Sequence, residues 1–328
     1  MNDLRMTRRT ALLLGTSMSA MAPFAARAQE TWPNKAIRFV VPFAPGGSSE
    51  IVARAAAVEL GKLLGQSVYV DNKPGAAGNI AMGAVARADD QHTVILGHIG
   101  TLAVNPYIFD KLPYDPDKAF RPISLLSKVP SLYVVRPDLP AKILKEFLAL
   151  AKAKPGSLNY VSAGNGSAGH LAFEYLKAVS NTFILHVPYR GTGPQLTDLM
   201  GGRLDAAAVG APAVLQFIKS GKLRCIATGS AQRLPQLPDV PTVAEQGFPG
   251  FEMTQWYGLL APGSLPQAHA DKLAAAAARS MKEPAAQKLL ESEAAIAIGS
   301  SQVEFARFIE AEQQRWKPVI ARAKIKPD

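Results

Sequence analysis

The stretch IRFVVPFAPGGSSEIVAR, Ile37 to Arg54, decides the fold. Residues 37–43 form an apolar run that reads as a buried strand. Pro45-Gly46-Gly47-Ser48-Ser49 interrupts it, and residues 50–64 resume with helical spacing. A strand that turns tightly into a helix is the first half of a βαβ unit. The turn also brings main-chain N–H groups to a helix start, where four donors lack intrahelical partners and the helix dipole favours an anion.

Two further turns repeat the pattern: Pro74-Gly75-Ala76-Ala77-Gly78-Asn79, and Ala163-Gly164-Asn165-Gly166-Ser167-Ala168-Gly169. Strands are expected at 68–71, 93–97, 132–136, 158–162, 184–188, 205–209 and 224–228. Helices are expected at 79–87, 142–152, 168–179, 195–201 and 214–219. Their alternation predicts an α/β protein with parallel-rich sheets covered on both faces. From Gln267 only helical segments follow, at 267–282, 285–292 and 302–322, and these should pack on an existing lobe.

A lobe boundary is expected at Ser127-Lys128-Val129-Pro130-Ser131, and a return crossing near 249–256. The reading is therefore two lobes, 29–130 with 255–328 and 131–254, with a hinge and a cleft between them. The third glycine turn falls in the second lobe, so an anion held by all three would lie between the lobes.

Residues 1–28 read as an export signal. Arg5, Arg8 and Arg9 precede a small-residue apolar stretch, and Ala26-Arg27-Ala28 supplies a cleavage site before Gln29. The Arg8-Arg9 pair leaves the twin-arginine and general routes both open. No later segment offers the roughly 18 uninterrupted apolar residues of a membrane span, so the expectation is a soluble periplasmic body.

The formal charge of +10 falls to +7 without residues 1–28, and the basic residues are scattered singly. That pattern gives no nucleic-acid surface. The one cysteine, Cys225, sits in an apolar run and reads as a buried thiol. The five histidines show no metal-ligand spacing, so neither a metal nor a cofactor is expected.

Two enzyme readings compete at the third turn. Gly164-Asn165-Gly166-Ser167-Ala168-Gly169 matches the dinucleotide fingerprint, but the acid expected about 20 residues on is missing, and His186 to Arg190 stand there. Asn165 to Gly169 also approaches a nucleophile elbow, yet His170 is too close in sequence to serve Ser167 as base.

Seven blocks in order carry a resemblance. They begin with WPNKAIR through VPFAPGGSSEIVAR, followed by DNKPGAAGNIAMGAVARA and AVNPYIFDKLPYDPDKAFRPISLL. AKAKPGSLNYVSAGNGSAGHLAFE, HVPYRGTGPQLTDLMGGRLD, SGKLRCIATGSAQRLPQLPDVPTVAEQGFPGFE and WYGLLAPGSLP complete the series. Together they resemble the Bug proteins, periplasmic solute receptors of tripartite tricarboxylate transporters.

That resemblance implies a type II-like, two-lobed flytrap that binds small carboxylates, performs no catalysis and passes its ligand to a large and a small integral membrane subunit. A sensor partner is the alternative. It also implies an anchor of Phe43, Gly47, Ser48 and Ser49 with Ala76, Ala77 and Gly78, joined by His98 and Thr101. From the second lobe it implies Ala163, Asn165, Ser167 and His170, with Tyr189 nearby. The family often places an Asp or Asn where Ala208-Val209-Gly210-Ala211-Pro212 stands here. Without that group an ammonium is poorly served, which favours an acid with an apolar or aromatic remainder.

Overall fold

The computed structural model describes residues 32–326; the expected export signal, with its expected cleavage site at Ala28 and Gln29, and residues 327–328 lie outside them. In chain order the elements are β1 (Ile37–Val41), α1 (Ser48–Leu64), β2 (Val68–Asn72), α2 (Asn79–Ala86), β3 (Thr93–His98), α3 (Asn105–Ile108) and β4 (Phe120–Val135). Next come α4 (Leu144–Ala153), β5 (Asn159–Ser162), α5 (Ala168–Ser180), β6 (Leu185–Pro188), α6 (Thr192–Met200), β7 (Ala206–Gly210), α7 (Ala211–Lys219) and β8 (Arg224–Thr228). The chain ends with β9 (Thr254–Pro262), α8 (Gln267–Ser280), α9 (Pro284–Ser292), β10 (Ile296–Ala297) and α10 (Gln302–Ala323).

The strands follow the order β2-β1-β3-β9-β4-β7-β5-β6, with β8 and β10 also paired to β4. The βαβ units supply the parallel pairs: β1 with β2 and β3, and β5 with β6 and β7. Two strands missing from the sequence reading, β9 and the first part of β4, join these ends by antiparallel pairing. The sheet is therefore mixed rather than parallel throughout.

The 127–131 stretch is not a break between elements but the interior of β4. Residues 120–130 pair with β9, while residues 131–135 pair with β7 and β8. Pro130 sits where the strand changes partners, the position at which a missing N–H costs a ladder least. Three main-chain bonds lace the segments that cross there: Gly229 N–H to Ser131 O at 2.7 Å, Ser131 N–H to Met253 O at 3.1 Å, and Met253 N–H to Gly229 O at 2.7 Å.

Helix ends follow local chemistry. Gly65, at φ 70°, closes α1 with its N–H on Gly61 O. Ser301 and Glu304 form a reciprocal capping box at α10. The tail does not stay on one half. Whereas α8 packs against α1 and β4, α10 also reaches α5, where Tyr175 meets Trp316 edge-on at 5.9 Å and Arg322 Nη2 donates to Ala178 O. One apolar cluster runs through both halves, with Tyr133, Tyr160, Phe173, Trp256 and Phe305 fully buried. Among the described residues no helix is long and apolar enough to cross a membrane.

Candidate functional site

The three glycine turns converge. Residues 42–44, 74–78, 163–167 and 189–191 line one cavity of about 510 Å³. A smaller chamber of about 40 Å³ lies beyond it and shares Phe43, Ala163 and Ser167 as a common wall. The two halves approach closely around them. A Cβ on Gly191 would stand 2.8 Å from the Ala44 Cβ, and one on Gly100 would stand 2.6 Å from Gly166 O.

The inner chamber takes its character from helix starts. Ser48 and Ser49 open α1, Ser167 to Gly169 open α5, Thr192 and Gln195 belong to the first turn of α6, and Gly210 is the N-cap of α7. Of the four, only α5 has a side-chain cap, in which Ser167 Oγ accepts the His170 N–H. Each N-terminus carries about half a positive charge, and residues from all four line one small volume. No Asp, Glu or Lys lines either cavity, and Arg190, at the outer one, is the only charged lining residue among those described.

Of the residues expected at the site, Phe43, Ser48, Ser49, His98, Ala163 and Ser167 line the inner chamber. Ala76, Ala77, Gly78, Asn165 and Tyr189 line the outer cavity. Three expected residues line neither. Gly47 faces α6, where an added Cβ would meet Thr192 Oγ1 at 3.1 Å. Thr101 stands behind His98: its Oγ1 accepts from His98 N–H at 3.1 Å, and its own N–H donates to His98 Nδ1 at 3.1 Å. His170 braces the third turn from beneath. Its Nδ1 accepts the Gly166 N–H at 3.1 Å, and its ring stacks on His186 at 4.2 Å.

Gly47 occupies the N-cap of α1, so Ser48 does not cap the helix; its side chain is buried beside the Tyr257 hydroxyl. Asn79 likewise leaves its cap unfilled; its Oδ1 instead accepts from Asn105 Nδ2 at 2.9 Å and Tyr114 OH at 3.1 Å.

His98, His170 and His186 are neutral. Burial holds His98 down at about 4, burial with the nearby Lys177 does the same for His170 at about 4, and burial with the neighbouring His170 holds His186 at about 3. Burial pushes the Tyr257 hydroxyl up, and it donates to Gln255 Oε1 at 2.9 Å. Ser162 Oγ lies 2.7 Å from His186 Nε2, but both are outside the two cavity walls, and Gly164 also engages that hydroxyl. The arrangement suits holding a guest, and no paired nucleophile and base faces the cavity.

Thr192, Gln195, Gln255 and Tyr257 escaped the sequence reading. Gly191-Thr192-Gly193-Pro194 is a fourth glycine turn that opens a helix, and the same signal would have found it. Pro194 delayed the expected start of the helix to 195, although proline is tolerated in a first turn.

Comparison with known proteins places this geometry in a defined group. A family model described as "Tripartite tricarboxylate transporter family receptor" matches residues 52–325. The protein BugT of Bordetella pertussis is 35% identical over 333 residues, covering 98% of this chain and all of BugT. The structure of Rpa4515 from R. palustris with adipate is 34% identical with a TM-score of 0.87, covering 90% of this chain and 100% of that one. MatC from Rhodopseudomonas palustris, with bound malate, is 34% identical with a TM-score of 0.83, covering 88% and 99%. The periplasmic-binding-protein fold of these structures is the fold of this chain.

Proposed function

Because this chain belongs to the tripartite tricarboxylate transporter receptor family, a family of solute-binding receptors and not of enzymes, we propose that it captures a small organic carboxylate in the periplasm and delivers it to integral membrane subunits of a tripartite transporter. The two lobes, 29–130 with 255–328 and 131–254, close over the ligand about the crossing at Ser131, Gly229 and Met253. One observation carries the reading: residues at four helix N-termini line a small chamber that holds no acidic side chain.

The carboxylate sits in the inner chamber. Main-chain N–H groups there replace its water shell, and each hydrogen bond is stronger for being charge-assisted and dry. The remainder of the ligand extends into the outer cavity, whose wall includes Pro42, Phe43, Ala44, Pro74, Ala76 and Ala77. That wall suits a hydrocarbon chain or ring. The adipate and malate bound by two related structures are carboxylates of this general size. An ammonium finds no counter-charge in either cavity, so simple amino acids are poor ligands.

A thermal-shift screen of the purified protein across mono- and dicarboxylates, followed by isothermal titration, tests this. A ligand of the native state raises the melting temperature, and one-to-one binding by at least one acid is expected. A panel in which no carboxylate shifts the melting temperature overturns the reading. Uptake of the same acid should fail in cells lacking the receptor gene.

A further inference from the structure

Resting on that carboxylate reading, we propose that Gln195, together with Ser48, makes this receptor selective for hydroxy acids, by reading a hydroxyl on the carbon next to the anchored carboxylate. Gln195 lines the inner chamber from the first turn of α6. It is only 2% exposed, yet its Oε1 has no hydrogen-bond partner. Ser48 lines the same chamber from α1, is 4% exposed, and its hydroxyl lies against that of Tyr257. A buried polar atom without a partner is costly, and the Gln195 oxygen facing this small chamber marks a site whose hydrogen bonds are completed by a guest.

The sizes agree. A water-sized group needs roughly 10–15 Å³ of such space, so the chamber of about 40 Å³ holds about three. A carboxylate contributes two oxygens and an adjacent hydroxyl the third. The carboxamide of Gln195 offers both an acceptor and a donor, and the Ser48 hydroxyl can act as either. A ligand O–H therefore donates to one and accepts from the other. A deoxy acid leaves the Gln195 carboxamide unsatisfied, and sites with buried hydrogen-bonding groups discriminate strongly against analogues that lack the partner. An ammonium in the same place would also donate to Gln195, but it would stand amid four helix N-termini with no acid nearby. The hydroxyl is the group that fits.

The test is isothermal titration of the purified protein with matched sets. These are 2-hydroxyadipate, adipate and 2-aminoadipate; malate, succinate and aspartate; and 3-phenyllactate, 3-phenylpropanoate and phenylalanine. In the set whose carbon skeleton fits, the hydroxy acid should bind about tenfold or more tightly than its deoxy partner, with one enantiomer preferred. Gln195→Met, which keeps volume and removes the carboxamide, should bring that ratio close to one. Equal affinity of hydroxy and deoxy acids, tightest binding by the amino acid, or equal weakening of all ligands by Gln195→Met would each overturn the proposal and leave the carboxylate reading standing. Binding of none of the acids would overturn both. The wild-type ratio decides the matter even if the variant fails to fold.

Discussion

Gly210 and Ser48 stand so close that a Cβ on the glycine would lie 2.4 Å from the serine Oγ. One residue starts α7 and the other starts α1, so a bare Cα in one half of the molecule makes room for a hydroxyl from the other. The backbone at Gly210 (φ −60°, ψ 137°) suits any residue, and its requirement for glycine is therefore purely steric.

Gly210→Ala should thus fold but displace the Ser48 side chain and press on Val129, whose Cγ1 would stand at 3.0 Å. Overpacking of this kind costs about 1–3 kcal/mol. If the halves close by meeting here, ligand affinity falls by about tenfold or more, a larger effect than the loss in melting temperature of the free protein would suggest. Titration of the variant at wild-type affinity would show that Ser48 and Gly210 play no part in closure.

The pH dependence of stability has a fixed sign. His98, His170 and His186 hold their neutral forms down to about 4, 4 and 3, whereas an unfolded chain protonates histidine near 6.5. Between these values the unfolded state binds protons that the native state refuses, so stability rises with pH through this window. Their contribution is complete above about 6.5 and is lost progressively as pH falls towards 4. Melting temperatures should be level from pH 8 to 7 and drop by roughly 5–10 °C by pH 4.5. A profile that is flat or rises on acidification would contradict the buried, neutral state of these rings.

The sequence displayed its βαβ units because each one closes locally. An apolar run, a glycine turn and an amphipathic helix sit side by side from Ile37 to Leu64, and again from Asn159 to Ser180. The joint between the halves was harder to see. Pro122 and Pro130 made β4 look like a connection, and its pairing with β9 lies more than a hundred residues away in sequence.

The outer wall of the site was legible from its glycine turns. Gln195 was reachable only through the overlooked turn at 191–194, and Tyr257 belongs to no local pattern; it matters only once β9 folds against α1. Thr101 and His170 carry the right chemistry one layer too deep, bonded to His98 and Gly166 rather than facing the cavity.

Glu312 joins α10 to the sheet through the Trp256 indole and also holds the Trp316 indole of its own helix. Its Oε2 accepts from Trp256 Nε1 at 2.8 Å and from Trp316 Nε1 at 3.0 Å, and the residue is buried. Glu312→Leu strands both donors, at about 1–3 kcal/mol each. Glu312→Gln keeps an acceptor oxygen and should cost less. Urea denaturation followed by tryptophan fluorescence measures the order. Leu equal to or milder than Gln would mean that the carboxylate contributes by volume alone.

The crossing between the halves gives a test that touches no ligand. A Cβ at Gly229 would stand 2.7 Å from Met253 O and 3.1 Å from Ser131 O, the two carbonyls at the centre of the three-way lacing. Gly229→Ala must push these segments apart, and on the proposed lobe limits Ser131 and Met253 lie where the chain passes from one half to the other. Neither Gly229 nor Met253 lines a cavity, so a change in affinity can only come through the relative setting of the halves. If the crossing is the hinge, the variant binds its acid several-fold more weakly, and the compaction on ligand addition seen by small-angle scattering shrinks. Should affinity and compaction both match the wild type, closure pivots elsewhere, and the long strand β4 itself becomes the element to examine by substitution at Pro130.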